Sequence, residues 1–135
     1  MSKKIESEIT VINRPAAAMF TFLNDFNNFS HLMPEQVINW QATSDTCTFE
    51  IKGLATLGMR IIERVPYSKL VMKGEGKIPF DFLLNSNITP VNDNSSRVQL
   101  VIVADMNPFI SMMAEKPLAN FVDMLVVKLK EVMEK

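Results

Sequence analysis

The sequence has little with which to carry out covalent or metal chemistry. It holds one cysteine, Cys47, and one histidine, His31. A lone thiol makes an internal disulfide impossible and cannot assemble a thiolate cluster for zinc, so a reducing compartment is expected. Neither sign of charge is in excess, because 14 Lys and Arg stand against 15 Asp and Glu. A formal net charge of −1 is too weak a field to draw nucleic acid or an anionic membrane surface. Long apolar runs are missing too. The stretch 100–104 stops at Asp105, far short of the about 18 residues that a membrane span needs, so no integral membrane association is expected. The opening residues Met-Ser-Lys-Lys-Ile-Glu-Ser-Glu interleave charges where a secretory signal needs an apolar core. The expected location is the cytoplasm.

What is present is apolar material in two different periods. A chain of 135 residues with 47% hydrophobic content suits one domain, 1–135, with a real core. Residues 3–13 alternate, with Ile5, Ile9 and Val11 on one side and Glu6, Glu8 and Thr10 on the other, the period of a half-buried strand. Arg14-Pro15 breaks the strand, and Ala16, Ala17 and Ala18 after the proline open a short helix carrying Met19, Phe20, Phe22 and Leu23. Residues 25–33 repeat the helical spacing with Phe26, Phe29, Leu32 and Met33 until Pro34. Six further strands are predicted at 37–43, 46–52, 57–65, 69–74, 80–89 and 96–105, separated by Gly, Pro, Asn, Asp and Ser. Their connections are too short for crossover helices, so the strands are antiparallel. Asn107-Pro108 then caps an amphipathic helix running to 135, with Leu118, Phe121, Val122, Leu125, Leu129 and Val132 on one face. Pro117 is expected to kink this helix or to divide 109–116 from the rest.

The economical packing of this order is an α+β helix-grip arrangement: a seven-stranded curved antiparallel sheet around a long C-terminal helix, with two short helices after strand one. The order resembles that of the START-like (SRPBCC) superfamily, which includes pollen-allergen-like proteins, polyketide cyclases and dehydrases, and a family associated with carbon monoxide dehydrogenase. The resemblance is carried by residues 9–23, where a strand passes through Arg14-Pro15 into a helix, by Leu32-Met33-Pro34, and by Asn107-Pro108 before the terminal helix. Glu35 stands where the dehydrogenase-associated group often has glycine. The resemblance implies an apolar cavity between sheet and helix, used by some members for lipids, sterols or other apolar small molecules.

Alternate side chains of a strand face opposite ways. Parity turns Ile38, Trp40, Cys47, Phe49, Ile51, Met59, Ile61, Leu70, Met72, Phe80, Phe82, Leu84, Leu100 and Ile102 inward, with Glu50, Lys52, Arg60, Lys73, Asp81 and Gln99 outward. The candidate ligand contacts are therefore Trp40, Phe49, Ile51, Met59, Ile61, Phe80, Phe82 and Leu84 from the sheet, with Met33 beside them. Met112, Met113, Leu118 and Phe121 are their candidates on the terminal helix. The 10 methionines favour an adaptable lining, because an unbranched thioether repacks around varied apolar shapes. Taken singly, the methionines and aromatics among them are more often plain core than ligand contacts, so the pocket reading is a collective one.

Polar candidates are few. His31 is expected to be exposed, and Cys47 to be a buried small hydrophobe. Arg60, Arg64, Lys69 and Lys73 interleave with Glu63 and Glu75, the pattern of a solvated, salt-linked sheet face. Gly74-Glu75-Gly76 lacks the lysine and hydroxyl of a phosphate loop. No motif calls for a metal or a cofactor. The expected function is binding or carriage of a small hydrophobic molecule. The alternatives are a cyclase-like or dehydrase-like enzyme using His31, Glu63 or Asp105, and an accessory domain that docks another protein.

Overall fold

In the computed structural model, which describes residues 2–135, the opening alternation breaks into two strands, β1 (Ser2–Glu6) and β2 (Thr10–Ile12). Both pair antiparallel with the same neighbour, Ser95–Asp105, labelled β8 by its place in the chain. Glu6 stands opposite Val101 and Thr10 opposite Val98, so three intervening residues face two. The extra residue is a bulge. Buried Ser7 fastens it, donating its N–H to the Leu100 carbonyl at 2.8 Å while its Oγ accepts the Leu100 N–H at 3.0 Å. One added residue exchanges the two faces of a strand. Ile5 and Ile12 are consequently buried, whereas Ile9 and Val11, expected beside Ile5, lie exposed.

Pro15 precedes helix α1 (Ala16–Leu23), which buries Met19, Phe20 and Leu23. A 3₁₀-helix, Phe26–His31, follows and buries Phe26 and Phe29. The Asp25 carboxylate caps it, accepting the Asn27 N–H at 2.9 Å. Both short helices predicted after the first strand are present.

The remaining strands are β3 (Val37–Ala42), β4 (Thr46–Ile51), β5 (Ala55–Val65), β6 (Lys69–Gly74) and β7 (Asp81–Asn92). They form one curved antiparallel sheet in the order β1-β8-β7-β6-β5-β4-β3, with β2 also on β8. Eight segments replace the seven expected because the first strand is split. A second extra residue falls between Ile38 and Gln41, where Asn39 adopts a left-handed φ of 57°. The parity of β3 flips there, so Val37 and Trp40 pack against the core and the inward placement expected of Ile38 is corrected.

Helix α2 (Pro108–Met133) runs 26 residues, its first turn capped by Asn107 Oδ1, which accepts the Ile110 N–H at 2.8 Å. Pro117 lies inside the helix and does not divide it. Ala114, Leu118, Phe121, Val122, Leu125, Val126 and Leu129 make its buried stripe. The helix also covers the β1/β2 rim of the sheet. Asp123 accepts the Glu8 N–H at 3.0 Å, and Lys130 Nζ donates to the Val11 carbonyl at 2.8 Å. Glu134, just past the helix, accepts the Asn13 N–H at 2.8 Å, and Arg14 donates to the Met133 carbonyl. Among the described residues no helix is long and apolar enough to cross a membrane.

Candidate functional site

The space between the sheet and α2 gathers much of the predicted lining. Phe49, Met59, Phe80, Phe82, Leu84, Leu118 and Phe121 surround one common hollow, joined by Leu57 and Ile102. That hollow measures only about 10 Å³. Such a volume is at the lower limit for one water molecule, which would find no polar partner among these side chains. The reason is aromatic bulk. The Phe49 ring stacks on Phe121 with centroids 5.8 Å apart, and Phe80 and Phe82 lie 5.8 Å apart. The space that the family resemblance implies as a cavity is filled by the protein's own rings.

Ile51 and Ile61 are buried in the same core without touching the hollow. Trp40 is half-buried and belongs to a chain of rings, parallel to Phe29 at 6.3 Å and 5.3 Å from Phe49. Its Nε1 is buried without a hydrogen-bond partner, as is Ser86 Oγ. Met112 and Met113 are corrected. They are 78% and 55% exposed, because they precede the Ala114 start of the buried stripe by two and one residues and so point off it at about 100° per residue. Leu118 and Phe121, on the stripe, face inward.

The polar candidates do not assemble. His31, Glu63 and Asp105 are exposed on three separate elements, and none lines the hollow. Burial pushes the Cys47 thiol up to about 12, against a weaker opposing hydrogen bond from the Met59 backbone. It therefore stays protonated and unreactive at neutral pH. The basic face is salt-linked as expected, Arg60 to Glu75 at 2.7 Å and Arg64 to Asp45. Among the described residues no group of three or more His, Cys, Asp or Glu side chains is placed to hold a metal ion.

A larger space opens elsewhere. A groove of about 490 Å³ runs between residues 32–36 and the C-terminal half of α2. Its apolar surface comes from Leu32, Met33, Pro34, Met124 and Val127, and its polar surface from Glu35, Gln36, Asp123, Lys128 and Glu131. The backbone fixes the near wall, since Val37 N–H donates to the Pro34 carbonyl at 3.0 Å and Lys52 N–H to the Gln36 carbonyl at 2.8 Å. Gln36 Nε2 reaches across to Met124 Sδ at 3.3 Å. Of the predicted residues only Met33 lies here. The sequence signal for the rest is a pair of apolar side chains, Met124 and Val127, on the helix face away from the core, where they are 42% and 58% exposed.

No protein-family model and no curated protein matches this chain. Solved structures do. A START superfamily protein from Mycobacterium smegmatis superposes with a TM-score of 0.72 over 99% of this chain and 96% of its own, at 13% identity. This is a START-like, helix-grip fold. A norcoclaurine synthase point mutant from Thalictrum flavum, solved with a transition-state analogue, matches the START-like fold at TM-score 0.75. It is 10% identical, over 98% of this chain and 94% of its own. The solution structure of the KanY protein matches at TM-score 0.80, with 14% identity over 100% and 99%. At these identities what is shared is the START-like architecture.

Proposed function

We propose that the chain binds a small, largely apolar molecule, and that the groove between residues 32–36 and α2 receives it. The observation that carries this reading is a ligand-sized volume behind a mostly apolar wall. About 490 Å³ lies within the roughly 300–1,000 Å³ of small-molecule sites, and the filled interior offers about 10 Å³. The apolar surface of Met33, Pro34, Met124 and Val127 supplies desolvation, and the flanking polar groups fix orientation. The START-like fold supports the reading at the level of architecture, since the fold occurs in a norcoclaurine synthase solved with a bound analogue. A cytoplasmic setting is part of the same proposal.

A second reading places the ligand in the interior, and the convergence of seven predicted side chains around one apolar hollow favours it. That reading requires the rings of Phe49 and Phe121 to part. Methionine methyl NMR separates the two, because Met33 and Met124 line the groove and Met59 lines the hollow. Titration with the neutral probe N-phenyl-1-naphthylamine is expected to shift the Met33 and Met124 methyls and to leave Met59 in place. Shifts at Met59 alone would move the site inside, and no shift at any of the three would remove the ligand-binding reading.

A further inference from the structure

The rim of the groove has a sign. Three carboxylates, Glu35, Asp123 and Glu131, face one ammonium, that of Lys128. Lys128 pairs with Glu131 at 3.6 Å. Glu35 and Asp123 have no ion-pair partner among the described residues, and Asp123 accepts only the neutral Glu8 N–H. A largely apolar wall bordered by two uncompensated carboxylates is complementary to a molecule with an apolar body and one positive charge.

We propose that the groove selects cationic amphiphiles, small molecules carrying a protonated amine on an apolar or aromatic frame. The inference rests on the groove being the binding site and adds the charge of its ligand. Orientation follows from the layout. The apolar frame lies on Met33, Met124 and Val127, and the ammonium meets Glu35 or the free lone pairs of Asp123. The same field disfavours carboxylates and phosphates, so fatty acids and phospholipid anions are poor occupants.

Three probes with one frame test this: 1-naphthylmethylamine, 1-naphthylmethanol and 1-naphthoate, titrated into the full chain by methionine methyl NMR. The amine is expected to bind about three- to tenfold more tightly than the alcohol, the yield of one or two solvent-exposed charge pairs, with the carboxylate weakest. Raising the salt is expected to narrow the amine-to-alcohol gap. The substitution Glu35→Gln is expected to narrow it as well. Equal binding of amine and alcohol, or tighter binding of the carboxylate, overturns the charge selection and leaves the groove as the site. Failure of all three probes to move Met33 or Met124 overturns the groove reading itself.

Discussion

Asn13 donates its backbone N–H to the Glu134 carboxylate at 2.8 Å, tying the end of the first sheet rim to the end of the last helix across 121 residues. Lys130 binds the same carboxylate at 2.7 Å and the Val11 carbonyl at 2.8 Å, so an acceptor of β2 and the donor just after it are answered by the end of α2 and the residue that follows it.

The Lys130 hydrogen bond, followed by that from Asn13, holds the Glu134 carboxyl below its ordinary value. A carboxyl lowered on folding stabilises the fold above its unfolded value, and the contribution disappears as pH falls through the lowered one. Glu134→Gln is therefore expected to speed amide exchange at Asn13 near neutral pH. The difference from the parent chain should vanish in acid, below the lowered value. Equal exchange in the two proteins at neutral pH would show that the carboxylate does not hold the strand.

The bulge at Ser7 gives a second prediction. Its hydroxyl accepts the Leu100 N–H, and alanine would leave that donor buried without this partner. Ser7→Ala is expected to cost about 1–3 kcal/mol in denaturant unfolding. A loss below about 0.5 kcal/mol would mean that the backbone alone sets the bulge.

The filled interior gives a third. Phe121→Ala removes the ring stacked on Phe49 and is expected to cost about 3–5 kcal/mol. The enlarged apolar hollow should also acquire a thermal shift with toluene that the parent chain lacks. Met112→Ser, at a site 78% exposed, should stay within about 0.5 kcal/mol. Equal losses for the two would contradict the assigned helix phase.

The architecture is legible in the sequence because element order, short turns and a helical apolar stripe all point to the same packing. Period alone places Leu118 and Phe121 correctly, and continuing that period backwards reaches Ala114 and Ile110. Side-chain flexibility points to Met112 and Met113, but phase governs burial. The bulges at Ser7 and Asn39 are not legible, because alternation is counted residue by residue and an inserted residue leaves no apolar signature. That single cause accounts for the exposed Ile9 and Val11 and for Ile38. The groove escapes the sequence for another reason: it lies between elements distant in the chain, and only the two apolar residues on the outer helix face hint at it. Whether an apolar lining encloses space or fills it depends on ring geometry, which residue type does not specify.

An open sheet invites a neighbouring chain to continue its ladder. Here one margin has the amides of Glu8 and Asn13 answered by Asp123 and Glu134 and the Val11 carbonyl answered by Lys130, while the opposite margin is bent at a left-handed Asn39. Both features oppose extension of the sheet by an added strand, one through helix chemistry and the other through backbone shape.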